Sequence, residues 1–228
     1  MSVDLIIPTL NEIDGIKNIM PKIKKDWVDR ILIVDGGSND GTVEEAKRLG
    51  YEVIFQKGKG HGAAFLTAIN ATNSDYILLW SPDGNHEPEE IPKLIQKVKE
   101  GYDQVLISRF GKTSINEDAG YFDAFGNKMF AFLVNVFFGG QWTDSLNESR
   151  IISRKAMMNI KDDIEKSKMS STQQMSIRGL KCGQKICEII GNERTRIGGE
   201  RKMSPIPVGV GLSKQILREF IFWKNFKK

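Results

Sequence analysis

The chain has 228 residues, 40% hydrophobic and 27% charged, with a formal net charge of +4. That length suits one large α/β domain, with or without a small appendage, and can bury a full core without disulfides or a structural metal. Two cysteines, Cys182 and Cys187, and two histidines, His61 and His86, argue against a disulfide scaffold and a zinc cluster. The mild charge argues against nucleic acid as a partner but suits phosphate-bearing substrates.

The first half alternates. Apolar runs at 5–7, 31–34, 53–55, 76–80 and 105–107 read as strands buried on both faces of a mainly parallel sheet. Helices are expected between them over 15–25, 42–49, 62–71 and 88–100, the last opening on acids that suit a helix dipole. The pattern predicts a mainly parallel, doubly wound sheet with helices on both faces and ligands at the carboxyl ends of the strands. The second half is less regular. A Phe-rich helix is expected over 122–138, a short element at 149–153, a helix over 172–182 and a strand over 185–190. A Gly/Pro-rich loop over 191–211 is expected to lead to a final helix over 213–228. This divides the chain into a domain over 1–211 and an amphipathic C-terminal helix over 212–228.

The opening residues lead straight into the first strand, so no signal peptide is expected. Its longest charge-free stretch, 129–143, is short and broken by Asn135, Gly139, Gly140 and Gln141. A cytoplasmic protein is expected, one that can lie on the cytoplasmic face of a membrane without crossing it.

Polar residues gather where the strands end. Strand one ends at Pro8-Thr9-Leu10-Asn11-Glu12 and strand two at Asp35-Gly36-Gly37-Ser38-Asn39-Asp40. Strand three leads to Lys57, Lys59 and His61, strand four to Ser81-Pro82-Asp83-Gly84-Asn85-His86, and strand five to Ser108-Arg109. All five tips face one edge, so acids, glycines and cations converge on one crevice. Each feature also has a plainer reading: Asp35 and Asp40 as loop caps, Asp83-Gly84-Asn85 as a turn, Lys57, Lys59 and His61 as a solvated loop. Gly111-Lys112-Thr113 is no phosphate loop, because that motif needs glycine where Leu106 stands.

These motifs, with Arg196-Ile197-Gly198-Gly199-Glu200-Arg201-Lys202, resemble the family 2 glycosyltransferases of GT-A fold. The similarity is strongest to the dolichyl-phosphate mannose synthase and polyprenyl-phosphate glycosyltransferase branch, over about residues 3–205. The resemblance implies that Pro8, Leu10 and Glu12 border the nucleotide and that Val34, Asp35 and Gly36 flank its base and ribose. Asp83, with Asn85, falls at the metal-binding Asp-x-Asp, which implies Mg²⁺ or Mn²⁺. Arg109, Arg196 and Lys202 would hold phosphates, and Lys59 joins the substrate-binding candidates. Two departures stand out: Gly36 replaces a second acid, and Ser81 stands at the first metal-binding Asp. One or two carboxylates suffice for Mg²⁺, since phosphates and waters complete its shell.

The resemblance implies an inverting transfer of a hexose, mannose or glucose, from a GDP- or UDP-sugar to a polyprenyl phosphate. A hydroxyl acceptor needs a general base, for which Asp144 is the candidate. It lies where the family carries Asp followed by Ser-Gly-Phe-Arg; Asp144 and Arg150 match and the central residues differ. Catalytic roles fall to Asp83, Asp144 and Arg109. The Phe-rich helix and the tail from Lys214 to Lys228, with Ile216, Leu217, Phe220 and Trp223 on one face, suit either a membrane surface or core packing. A soluble sugar or glycan acceptor, or a non-catalytic nucleotide-sugar binding role, are the alternatives.

Overall fold

In the computed structural model, residues 1–118, 120–164, 171–198 and 205–222 are described. The five apolar runs form β1 (Val3–Thr9), β2 (Arg30–Asp35), β3 (Glu52–Phe55), β4 (Tyr76–Leu79) and β5 (Gln104–Ser108). Between them lie α1 (Ile13–Asn18), α2 (Thr42–Arg48), α3 (His61–Ala71) and α4 (Glu90–Lys99). The second half adds α5 (Tyr121–Phe138), β6 (Arg150–Ser153), α6 (Arg154–Ile164), α7 (Ser171–Lys181), β7 (Ile186–Ile190) and α8 (Pro205–Ile221).

The sheet order is β3-β2-β1-β4-β6-β5-β7, with β6 antiparallel to its neighbours and the other pairings parallel. Successive side chains of a strand point to opposite faces, so each continuous apolar run feeds two cores. Leu5, Ile7, Ile33, Leu78, Trp80, Val105 and Ile107 pack with Ile16, Ile91, Leu94 and Val98 of α1 and α4. Ile6, Leu32, Val34, Ile77 and Leu79 pack on the other face with Phe65 and Ala68 of α3, Met157 and Ile160 of α6, and Met175 of α7. Burying each such aliphatic side chain is worth about 1.5–3 kcal/mol. The expected doubly wound sheet is therefore the observed one.

Differences from the sequence reading have local causes. The first helix stops at Asn18 and gives way to two short 3₁₀ turns, since Pro21 has no N–H to continue an α ladder. The structure adds α6, and β6 enters between β4 and β5 against the direction of both. The last helix begins at Pro205, not Ser213, so the expected loop is shorter. Proline is suited to a first turn, where an N–H has no intrahelical partner, and its presence masked the start.

α8 packs on α5 and α7. Leu212 and Ile216 join Phe130, Ala131, Val134 and Phe138 of α5, with Ile177 of α7, in a third core over Leu106. Glu219 is buried and accepts from Arg178 (2.7 Å) and Lys181 (2.8 Å), fastening α8 to α7. Ile216 thus faces inward while Leu217 and Phe220 stay exposed, so the expected shared face is split. Trp223, Lys224, Phe226, Lys227 and Lys228 lie outside the described residues.

Candidate active site

The turn after β1 is set by Asn11, which takes a left-handed φ of 57° that a short polar side chain tolerates. Its backbone N–H donates to Ser38 Oγ and its Oδ1 accepts from Asn39 N, tying the tips of β1 and β2 together. Asp35 is buried and accepts from Thr9 Oγ1, Ser38 Oγ and the amides of Gly37 and Ser38. Asp40 accepts from Thr42 at the head of α2 and from Ile13 N. Both acids shape their loop. Gly36 has a packing reason as well: a Cβ there would lie 3.3 Å from Gln56 Oε1 and 3.4 Å from Thr9 O. Val34 points into the core, so it can border a ligand through its backbone alone. Pro8 is partly covered, while Leu10 and Lys59 are exposed at the same edge.

The β4 tip and the loop after β7 meet over the crevice. Ile197 N donates to Asp83 O (2.7 Å), Arg194 N to Asn85 O (2.8 Å), and Asn85 Nδ2 to Arg194 O (2.7 Å). These bonds bring Arg196 over two acids. Its Nη2 donates to Glu12 Oε1 at 2.6 Å, and its Nη1 stands 3.7 Å from Asp83 Oδ2. Glu12, Asp83 and Arg196, separated by up to 184 positions, thus come together. Lys202 lies outside the described residues.

Asp83 is buried, and its carboxyl is pushed above the usual carboxylate range, chiefly by burial and then by the nearby negative charge of Glu148. Glu148 did not stand out in the sequence, whereas its partner His61 was noted at the tip of strand three. Glu148 Oε2 pairs with His61 Nε2 at 2.5 Å, and His61 Nδ1 faces Ser171 Oγ. Burial would raise the Glu148 carboxyl, but the charge and hydrogen bond of His61 override it and hold it at about 2.

A second cluster occupies the β5 tip. Arg109 Nε donates to Asp144 Oδ2 at 2.6 Å and Nη2 to Asp144 Oδ1 at 3.2 Å, while Nη1 reaches Glu193 at 2.9 Å. Burial raises the Asp144 carboxyl less than Arg109 lowers it, so it lies below its ordinary value. Arg109 turns toward the protein's own acids, and through Asn127 Oδ1 (3.4 Å) it reaches α5. Arg150 is buried behind it, donating to Gln104, Ser176 and Asn147 O; burial depresses its guanidinium to about 10. His86 is a packed residue, tilted on Trp80, paired with Glu90 (3.3 Å) and hydrogen-bonded to Asn147.

Among the described residues, no group of three or more His, Cys, Asp or Glu side chains forms a metal cage. The donors at the β4 tip are hard oxygens, as Mg²⁺ and Mn²⁺ prefer, and Asp83 is a carboxyl crowded by a second negative charge. The site fits a cation bound together with a ligand that supplies further oxygens.

This α/β fold gathers its acids and cations at the carboxyl edge of a mainly parallel sheet, where proteins of this class take their ligands. Residues 4–161 match the family described as glycosyl transferase family 2, and the chain belongs to that family. It is 29% identical over 166 residues to glycosyltransferase AglJ of Haloferax volcanii, covering 70% of this chain and 52% of AglJ, so it spans about half of that relative. It is 28% identical over 216 residues to the dolichyl-phosphate hexose transferase of the same organism, covering 94% of this chain and 92% of the relative. In fold it is similar to glucosyl-3-phosphoglycerate synthase of Mycobacterium tuberculosis, solved with Mn²⁺, UDP and phosphoglyceric acid. The TM-score is 0.71 at 17% identity, covering 97% of this chain and 78% of the other. The GT-A expectation and the resemblance to the polyprenyl-phosphate branch both hold.

Proposed function

We propose that the chain transfers a hexose from a nucleoside-diphosphate sugar to a polyprenyl phosphate, with inversion and with Mg²⁺ or Mn²⁺ bound beside Asp83 and Asn85. The observation that carries the lipid acceptor is α5. It is bound to Arg109 at the crevice through Asn127, yet turns Tyr121, Phe125, Met129, Phe132 and Val136 to solvent at helical spacing. α8 extends this surface with Ile206, Val210, Leu217, Phe220 and Ile221, and Phe137 meets Phe220 at 5.0 Å. Apolar stripes on two packed helices suit the headgroup boundary of a bilayer, where a polyprenyl phosphate presents its head. Among the described residues no helix is long and apolar enough to cross a membrane.

The chemistry is consistent with that acceptor. A phosphate monoester is already nucleophilic near neutral pH, since its second ionisation falls near pH 6, and needs no protein base. Asp144, the candidate base, has both oxygens engaged by Arg109 and is fully buried. Its role is therefore to position Arg109. Arg196 and Lys202 would hold the diphosphate, and Glu12, Pro8, Leu10, Asp35 and Gly36 border the nucleoside. A divalent cation, when bound, would neutralise charge developing on the leaving diphosphate. The synthase with a soluble acceptor favours a second reading, transfer to a small phosphorylated acid.

The test incubates the protein with UDP- and GDP-hexoses, Mg²⁺ or Mn²⁺, and polyprenyl phosphate in liposomes, followed by mass spectrometry of the lipid extract. A glycosylated lipid phosphate is expected. Product on phosphoglyceric acid without lipid product overturns the acceptor, and no donor turnover with any acceptor makes the chain a binding protein.

A further inference from the structure

Ser81 removes one of two acids from the β4 tip, but the antiparallel insertion of β6 brings another carboxylate to the same place. We propose that Glu148 is the second carboxylate ligand of the divalent cation held at Asp83, supplied from β6 in place of the acid that β4 lacks. This rests on the proposed metal-assisted reading of the site.

The placement follows from strand pairing. Leu79 of β4 lies opposite Arg150 of β6. Continued two positions past Leu79 and two before Arg150, the same antiparallel register would set Ser81 across from Glu148. The side chains agree, for Ser81 lies within interaction range of both Glu148 and Asp83. One small hydroxyl thus neighbours two carboxylates. An aspartate at position 81 would bring a third negative group against them, so Ser81 and Glu148 read as one exchange of position.

Electrostatics point the same way. Asp83 is buried within reach of the Glu148 charge, an arrangement of two like charges that costs free energy and that a cation between them would relieve. Glu148 keeps about a quarter of its side chain open at the crevice. The basic groups facing the pair are His61 at 2.5 Å from Glu148, His86 at longer range from Glu148, and Arg196 at 3.7 Å from Asp83. His61, at the first position of α3, is two-fifths exposed and comes from a loop with Gly58 and Gly60 at positive φ. A partner for such a histidine requires one acid, and nothing in that role requires the acid to sit against Asp83. A cation site does.

The experiment is Mn²⁺ titration of the full chain by electron paramagnetic resonance, with UDP and, in parallel, GDP, and with thermal melting of every variant. Glu148→Gln is expected to weaken Mn²⁺ binding at least tenfold without loss of metal-free nucleotide binding. Ser81→Asp/Glu148→Gly, which returns the acid to β4, is expected to restore it to within about threefold of wild type. Mn²⁺ affinity unchanged in folded Glu148→Gln, or not restored by the exchange, overturns the assignment. Should Glu148→Gln not fold, His61→Gln decides: freeing the carboxylate tightens Mn²⁺ binding, and an unchanged or weaker affinity overturns the proposal. Asp83→Asn separates the two levels. Loss of binding there with none in Glu148→Gln defeats this inference alone, whereas wild-type binding in Asp83→Asn defeats the metal site itself.

Discussion

Around Arg109 each acid has its cation: Asp144 is gripped at both oxygens, Glu193 takes the other arm of the guanidinium, and the Asp144 carboxyl is lowered. Around Asp83 the balance is different. Arg196 lies 3.7 Å away and is shared with Glu12, while the Glu148 charge presses Asp83 upward. Both clusters are buried at the same sheet edge, so burial does not distinguish them. Satisfaction does: a cluster whose charges are matched inside the protein is framework, and one left with crowded acids is where a ligand's charge belongs.

Breaking the crowded cluster should have the largest effect. Asp83→Asn is expected to lower metal-dependent transfer roughly 10²–10³-fold, the scale of losing a preorganised electrostatic group. It should at the same time stabilise the ligand-free protein. A carboxyl raised in the fold contributes stability below its unfolded pKa that is lost as pH rises through the folded value. The variant's advantage should therefore stand at neutral pH and vanish in acid; melting curves against pH read it, about 2–4 °C for each kcal/mol in a chain of this size. A variant less stable at neutral pH would show that Asp83 is framework after all.

The matched cluster predicts the reverse. Asp144→Asn leaves Arg109 buried with one acid fewer and should cost about 3–5 kcal/mol, measured by urea unfolding. The lowered Asp144 carboxyl contributes stability above its unfolded pKa that is lost as pH falls through the folded one, so wild type and variant should converge in acid. A stable variant with a new pH limb in its rate profile would return Asp144 to the role of base.

Smaller effects sharpen the picture. Arg196→Ala should weaken nucleoside-diphosphate binding by about 10–100-fold by calorimetry, the scale of charged hydrogen bonds worth about 1.5–3 kcal/mol. Phe132→Ser removes one exposed ring from α5 and should lower flotation with liposomes by about tenfold while leaving the melting temperature unchanged. A fall in melting temperature would mark the stripe as packing surface.

Much of the sheet and its edge was legible because both depend on local pattern. Apolar runs such as Leu5-Ile6-Ile7 specify strands buried on both faces, and alternation with helices fixes parallel pairing, which sends the tips bearing Glu12, Asp35 and Asp83 to one side. Arg196 was found through its motif, and the structure set it on Glu12. What the sequence could not supply was pairing across the chain. β6 enters antiparallel between β4 and β5, and that choice, made by packing over long separations, sets Glu148 against Ser81 and Asp83. Arg109 was expected to hold phosphates, and only the tertiary structure pairs it with Asp144 and Glu193, 35 and 84 positions away. The helical period of α8 named its apolar residues, but only docking on α5 and α7 decided that Ile216 is covered while Leu217 and Phe220 face outward. Periodicity fixes which residues share a side of an element; which side is buried depends on the neighbours that tertiary packing supplies.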